Sequence, residues 1–328
     1  MLNTKLNAIT LAPIIADETD EQARIFVESL LWPNGPTCPH CACVGAHYLM
    51  HVKGKQTPKQ KLEDQPAPSR TLYKCKDCRK PFTVRMGTIF EDSHIPLRKW
   101  LMAVHLMTSS KKGVSSLQIS REVGIMYKSA WFMTHRIREA MNMEREYPSL
   151  EGTIEVDETY VGGKPRKGSG NTRTGRGTKK IPVIVLVERD GSAVSHPISR
   201  VTTQELKGAI RKNVKVSAKI CTDEYRSYKG IGKEFARGHS TVHHSSGEYK
   251  NADGEHTNTA ESFFALIKRG HYGIFHLMSE QHLHRYVTEF EFRWNLRKVT
   301  DGERMVSAIK GARGKRLYSL QPTEGAQP

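Results

Sequence analysis

Four cysteines in two Cys-x-x-Cys pairs restrict how the first third of this 328-residue chain can fold. The pairs are Cys38 with Cys41 and Cys75 with Cys78. At this spacing one turn presents both sulfurs to a single ion, and four thiolates make a closed tetrahedral zinc site. A disulfide framework is disfavoured because nothing in the sequence indicates secretion, and a redox dithiol is the remaining alternative. We therefore predict a zinc ribbon over residues 38–92.

Two further cysteines lie outside these pairs. Cys43 is close to the first pair and could compete as a ligand, although such a neighbour is more often only a small residue. Cys221 lies in a stretch with strand character and is expected to be a packing residue.

The composition predicts a soluble protein with a polyanionic partner. Lysine and arginine number 51 against 34 aspartates and glutamates, which gives a formal net charge of +17. An excess of this size suggests nucleic acid, while a generically basic cytosolic protein is the alternative. The longest apolar run, residues 183–187, is far too short to span a membrane, and we recognise no signal peptide.

Residues 93–148 have helical character and contain a helix, a turn at Gly124 and a second helix. This is helix-turn-helix spacing, and it would make Tyr127, Lys128 and His135 available to a DNA groove. An ordinary helical hairpin is the alternative.

From residue 149 the pattern is three strands, a helix, two strands and a helix, as expected of an RNase H-like sheet. In that sheet the first and fourth strands lie side by side at the centre. Asp157 in the first strand and Asp223 at the end of the fourth would therefore come together. Asn258 and Glu261 on the following helix are candidates to reach them. Crowded carboxylates repel one another unless cations neutralise them, which predicts Mg²⁺ or Mn²⁺ at this site.

Three acids lie within the single strand TIEVDETYVGG, residues 153–163. Residues two apart share a face of a strand, so Glu155 and Asp157 point one way and Glu158 points the other. We interpret Asp157 as the metal ligand and Glu158 as a structural residue. Glu155 is expected to support the site or to pair with a basic group.

Two basic features accompany these acids. Lys268 lies two helical turns beyond Glu261, so the two charges project from nearly the same helix face and could serve a metal ion and a phosphate. A charge pattern without function is the alternative. Residues 162–180 hold seven lysines and arginines and no acid, and this glycine-rich loop is expected to contact the DNA backbone.

The chain resembles the ISXO-like insertion-sequence transposases, the zinc-ribbon branch of the DDE superfamily. The matches follow the family's order and span roughly residues 20–300. They are WPNGPTCPHC, YKCKDCRKPFTVRMGTIF, GTIEVDETYVGG, TDEYRSY, HTNTAESFFALIKRG and HLHRYVTEFEFRWNLR. The insert between the cysteine pairs and the loop at 162–180 depart from the family's pattern. These departures leave open how the substrate is positioned, but they do not affect the expected reaction.

The resemblance implies a transposase that binds transposon ends and catalyses metal-dependent phosphodiester hydrolysis and strand transfer. By position, Asp157 and Asp223 are then the first two catalytic acids. The third is Glu261 or Asn258, and we favour Glu261 for its charge and for Lys268. The implied partners are double-stranded DNA, as terminal repeats and target, and further copies of this chain in a homo-oligomer. Such a protein would be cytoplasmic and nucleoid-associated.

Two other functions stay open at this point. One is a DNA-binding regulator that uses the ribbon and the helical region and has an inactive catalytic fold. The other is an RNase H-like nuclease without strand transfer, which would share the same acids.

The predicted architecture is an α/β chain with five parts. A helical segment over residues 1–37 precedes the zinc ribbon at 38–92 and the helix-turn-helix-like region at 93–148. An RNase H-like catalytic domain follows at 149–300, and a basic tail at 301–328 ends the sequence.

Overall fold

The computed structural model describes residues 6–53, 69–143, 149–163, 180–243 and 254–317. Within these ranges the chain divides into two compact units. The first takes its residues from Met1–His105, Phe132–Ala140 and Asp301–Pro328, and the second from Leu106–Trp131 and Met141–Thr300. Most of the basic loop that was expected to contact DNA, residues 164–179, lies outside the described residues. No helix in the described ranges combines the length and apolar character that a membrane span requires.

The first unit contains a small antiparallel sheet and N-terminal helices. Its strands pair in the order β1–β2–β3, with bounds His47–Lys53, Ser69–Cys75 and Pro81–Phe82. Helices α1, Ala8–Ala16, and α2, Glu21–Leu31, both lie in the segment 1–37 that was expected to be helical. Helix α1 forms because the Asn7 side chain accepts two backbone N–H groups of its first turn, which is the work of an N-cap.

The end of the chain corrects the expectation of a basic tail over 301–328. Residues Asp301–Lys310 form helix α9, which contacts α2. The side chains of Met305, Val306 and Ile309 are buried, so one face of this helix is apolar. Over its described part, this segment therefore belongs to the core of the first unit.

The helical region contains the predicted helix, glycine turn and helix. Helix α3 spans Leu97–Ser109, helix α4 spans Ser116–Val123, and helix α5 spans Tyr127–Met141. The Ser115 hydroxyl caps α4, and Gly124 ends it with a φ of 65°, a left-handed conformation that favours glycine.

The exposure of the second helix differs from the expectation at one position. Tyr127 and Lys128 at its start are exposed to solvent. His135, by contrast, is completely buried, so it cannot reach a DNA groove as the sequence had suggested. Its position two turns into the helix places it on the core face, which the sequence pattern did not reveal.

A five-stranded mixed sheet forms the centre of the second unit. Its order is β6–β5–β4–β7–β8. The strands are β4 (Thr153–Val161), β5 (Ile181–Glu188), β6 (Ala193–Pro197), β7 (Lys219–Asp223) and β8 (His239–Val242). Strand β4 pairs antiparallel with β5 and parallel with β7, so the first and fourth strands of this unit lie side by side at the centre. This arrangement fits the predicted RNase H-like sheet.

Helices cover both faces of this sheet. Helix α6, Thr203–Asn213, contributes to the core on one face. Helices α7, Asn258–Gly270, and α8, Leu283–Asn295, contribute to the core on the other. Successive residues of β5 belong alternately to the two cores, as the twofold periodicity of a strand requires. The unit is therefore a three-layer α/β structure.

Helix α8 also protects the free edge of the sheet. The Asn295 side chain accepts the N–H of Ala193 in β6 at 2.7 Å and donates to the carbonyl of the same residue at 3.0 Å. Glu291 accepts the N–H of Ser195 at 2.9 Å. These bonds satisfy the outward groups of β6, which would otherwise offer an edge for pairing with another strand.

Candidate active site and metal centre

The four cysteines of the two pairs converge in the first unit. The Cys38 and Cys78 sulfurs lie 3.6 Å apart, as do those of Cys41 and Cys75. All four sulfurs lie within 4.8 Å of one another. A tetrahedral zinc ion with Zn–S bonds of about 2.3 Å separates its sulfurs by about 3.8 Å, so the cluster suits Zn²⁺.

Backbone turns hold each pair of cysteines in place. The N–H of Cys38 donates to the carbonyl of Cys43 at 2.9 Å, and the N–H of Cys75 donates to the carbonyl of Lys80 at 3.1 Å. Each Cys-x-x-Cys turn is therefore closed by a hydrogen bond within its own segment, as expected of a turn that presents two sulfurs to one ion.

The two remaining cysteines have different surroundings. Cys43 forms a second potential ligand group with Cys75 and Asp77, but this group has only three members and shares Cys75 with the larger one. The four-thiolate set is the complete tetrahedral shell, so Cys43 is the weaker candidate. Cys221 is buried in β7, where its thiol donates to Glu255 at 3.4 Å.

Asp157 and Asp223 lie at neighbouring positions of the central strands. The parallel register of β4 and β7 pairs Thr153 with Lys219 and Glu155 with Cys221. Continued by two residues, this register places Asp157 beside Asp223 at the carboxyl end of β7. The N–H of Tyr225 donates to the Asp223 carboxylate at 3.0 Å and orders the turn that follows this strand.

Asp157 has the electrostatics of a crowded acid. Burial is the main cause that raises its pKa to about 8, and the charges of Glu158, Asp223 and Glu261 raise it further. The N–H of Glu158 donates to the Asp157 carboxylate at 2.7 Å and opposes these effects only in part. The main influences on Asp157 thus disfavour its ionised form, and a bound cation would offset them.

Helix α7 carries the other candidates. Asn258 and Glu261 are exposed in its first turn, and Lys268 is exposed two turns further on. The Lys268 ammonium lies 6.0 Å from the centre of the Phe264 ring.

The candidate acids do not form a closed ligand set. In the part of the chain that the structure describes, every group of three or more potential ligands within 4.8 Å of one another contains cysteine. Asp157, Asp223 and Glu261 thus influence one another electrostatically at longer range.

Glu155 connects the central strand β4 to the start of helix α7. Its side chain is completely buried, and its carboxylate accepts the N–H groups of Thr259 at 2.7 Å and Ala260 at 3.2 Å. These N–H groups belong to the first turn of α7, where they have no partner within the helix. Glu155 therefore links the strand of Asp157 to the start of the helix that carries Glu261.

An ion-pair network surrounds this link. Arg189 donates to Glu155 at 3.0 Å and to Glu255 at 2.9 Å. Lys219 donates to Glu255 at 2.7 Å. Arg189 also donates to the carbonyl of His256, so the residues immediately before α7 are held by the same arginine. The basic group that the sequence predicted for Glu155 is thus Arg189.

Glu158 points to the opposite face of β4, as the strand periodicity predicted. It accepts the hydroxyl of Tyr228 at 2.8 Å. Burial and the Glu158 charge raise the pKa of Tyr228 well above its usual range, so the hydroxyl remains a donor. This contact ties the turn after β7 to the central strand.

Comparisons with known proteins identify families that the chain matches. Residues 149–295 match the family model of the ISXO2-like transposase domain, and residues 18–81 match that of the transposase zinc-ribbon domain. The chain is 30% identical over 299 residues to an uncharacterized protein in transposable element ISH50 of Halobacterium salinarum. That match covers 86% of this chain and 93% of the relative.

Solved structures provide weaker similarities. A pre-cleavage Mos1 transpososome matches with 12% identity and a TM-score of 0.22, over 62% of this chain and 75% of the other. A Mos1 transposase paired-end complex with left transposon end matches with 10% identity and a TM-score of 0.23, over 66% and 80%. Scores this low do not establish a shared fold.

Metal analysis tests the cysteine cluster. We expect one zinc ion per purified chain, and we expect Cys41→Ser to lower both the zinc content and the melting temperature, because it opens a structural site. Cys43→Ser is the matched control and should leave the zinc content unchanged. Loss of zinc in Cys43→Ser with retention in Cys41→Ser would identify the smaller ligand group as the true one.

Replacement of Glu155 tests the link between strand and helix. Glu155→Ala should lower the free energy of unfolding by about 3–5 kcal/mol, because Arg189 and two helix N–H groups lose their buried partner. The control Glu151→Ala removes an exposed glutamate paired with Lys215 and should change stability little. Urea titrations that give equal losses for both variants would contradict the assignment.

The raised pKa of Asp157 predicts a pH dependence of stability. In the metal-free site the folded protein holds this proton up to about pH 8, whereas the unfolded chain releases it near pH 3.8. Between these values the folded state binds the extra proton, so stability falls as pH rises, by up to about 1.4 kcal/mol per pH unit.

Asp157→Asn should lack this contribution because its amide does not titrate. In urea titrations without added Mg²⁺, the unfolding free energy of the variant should increase relative to that of the wild type as pH rises from 4 to 8. A difference in unfolding free energy that stays constant over this range would contradict the prediction.

Proposed function

The chain belongs to the family of ISXO2-like transposases, and from this we propose that it cuts DNA at the ends of a mobile element and joins them to a target. The reaction comprises hydrolysis of a phosphodiester and attack of the freed 3′-hydroxyl on a second duplex. The residues that carry it are Asp157, Asp223 and Glu261.

One observation above all supports this assignment. The register of the two central strands, continued by two residues, pairs Asp157 with Asp223, and the pKa of Asp157 is raised to about 8 by burial and by three neighbouring acids. Acids crowded in this way destabilise a fold unless a proton or a cation neutralises them, and such acids cluster at functional sites. A regulator with an inactive catalytic fold would have no use for them.

The donor set suits a divalent cation. Asp157, Asp223 and Glu261 offer hard carboxylate oxygens, the ligands that Mg²⁺ and Mn²⁺ prefer, and Asn258 offers an amide oxygen one helical turn before Glu261. When bound, such ions lower the pKa of a water or hydroxyl nucleophile and stabilise the leaving oxygen. We place Glu261 ahead of Asn258 as third ligand because it brings the charge that a dication needs.

The rest of the chain would bind and orient the nucleic acid. The net charge of +17 favours double-stranded DNA, which binds through release of counterions and hence with strong salt dependence. Exposed Tyr127 and Lys128 begin the second helix of the helix-turn-helix-like region and are candidates for groove contact. Lys268 would contact the DNA backbone near Glu261. Joining two ends requires at least two active sites, so we propose a homo-oligomer on DNA in the nucleoid.

A cleavage assay tests the catalytic assignment. The substrate is a duplex with the terminal repeats that flank the reading frame, incubated with Mg²⁺. We expect Asp157→Asn and Asp223→Asn each to reduce cleavage by about 100-fold or more, since loss of a ligand removes several kcal/mol of charge stabilisation. Glu261→Gln should lose more activity than Asn258→Ala.

Two further measurements separate the alternatives. Fluorescence anisotropy of the same duplex should show that the Asp→Asn variants still bind DNA, which confirms that they are folded. Joined products on a second duplex distinguish a transposase from a nuclease. Cleavage that is undiminished in Asp157→Asn and Asp223→Asn would refute the assignment.

A further inference from the structure

A small polar cavity lies next to the proposed catalytic acids. It has a volume of about 230 Å³ and is walled by Asp223, by the residues that follow it, and by strand β8. Pockets that enclose drug-sized ligands measure about 300–1,000 Å³, so this cavity suits a smaller group.

Unpaired positive charges stand at its wall. Arg226 and Lys229 line the cavity and are exposed, and among the described residues neither has an ion-pair partner. A third cation is close, because the ammonium of Lys207 donates to the carbonyl of Lys229 at 2.8 Å. Some other cations of this unit are paired with acids, for example Arg211 with Glu234.

The wall also holds the carboxylates of Asp223 and Glu224 and, on the side of β8, neutral hydrogen-bonding groups. His239 and Thr241 come from β8, and the His239 ring lies 2.9 Å from the hydroxyl of Thr222. Burial, together with the Lys207 charge, lowers the pKa of His239, so its imidazole is neutral near pH 7. On the side away from Asp223 and Glu224 the cavity thus combines fixed cations with polar groups that can bind oxygen, which is the chemistry of a phosphate site.

Hydrogen bonds from two tyrosines fix the position of the cavity relative to the acids. Tyr225 donates its N–H to Asp223, and its hydroxyl donates to the carbonyl of Val201 at 3.3 Å. Tyr228 in the same turn is bonded to Glu158 in β4. The segment that carries Arg226 and Lys229 is therefore anchored on both central strands.

We propose that this cavity binds one phosphate of the DNA strand, adjacent to the phosphate on which the carboxylates act. The proposal rests on the proposed function and assigns to Arg226 and Lys229 the role of setting which phosphodiester enters the site. Asp223 lies at the wall of this cavity, so a phosphate bound to the two cations is a near neighbour of the one to be cut.

The salt dependence of DNA binding tests this subsite without relying on catalysis. The double variant Arg226→Ala/Lys229→Ala is compared with Lys233→Ala/Arg237→Ala, which removes two exposed cations of the same segment away from the cavity wall. Binding of the end duplex is measured by anisotropy between 50 and 300 mM salt with Ca²⁺ in place of Mg²⁺.

We expect the slope of log K against log salt to decrease in magnitude by about one in the first variant, as loss of one phosphate contact predicts. The control should keep the wild-type slope, and Arg226→Lys/Lys229→Arg should keep it as well because both charges remain. Equal slopes in the two double-alanine variants would overturn the subsite alone. Failure of the wild type to bind DNA would overturn both the subsite and the proposed function.

Discussion

A single buried carboxylate organises the second unit. Glu155 accepts two N–H groups at the start of helix α7 and an ion pair from Arg189, and Arg189 in turn holds Glu255 and the backbone before the helix. This link adds directional contacts to the apolar packing between the strand of Asp157 and the helix of Glu261. Such packing is non-directional, whereas hydrogen bonds to a helix end fix its position along the strand. The geometry of the proposed site therefore depends on an acid that is not itself a candidate ligand.

The positive charge of the chain divides into a structural part and an exposed part. Part of it is structural, because Arg136 donates to the carbonyls of Ile89 and Glu91 in the first unit. In the second unit the buried Arg293 donates to the carbonyls of Met107 and Ser110 at the end of helix α3. These guanidinium groups satisfy backbone oxygens away from water and are not available to DNA. Exposed cations such as Arg226, Lys229 and Lys128 constitute the part that can meet a polyanion.

Acidic and basic side chains lie close together at the carboxyl end of β7, where Arg226 and Lys229 follow Asp223. Burial and neighbouring acids disfavour the ionised form of Asp157, and Arg226 and Lys229 lack acidic partners among the described residues. A nucleic-acid strand with its accompanying divalent ions would satisfy both sides together, since it brings cations to the first and phosphates to the second. Neither imbalance contributes to the stability of the fold, which is the usual situation of residues retained for binding or chemistry.

Local and topological patterns in the sequence determined a large part of this protein. Two residues between cysteines bring their sulfurs together whatever surrounds them, and strand order alone brought Asp157 beside Asp223. Twofold periodicity also assigned Glu155 and Glu158 to opposite faces of one strand. Only the tertiary structure decided that Glu155 caps α7, that His135 is buried, and that residues 301–310 are a packed helix. Each of these depends on a partner distant in sequence, and neither periodicity nor spacing within one segment contains information about that partner.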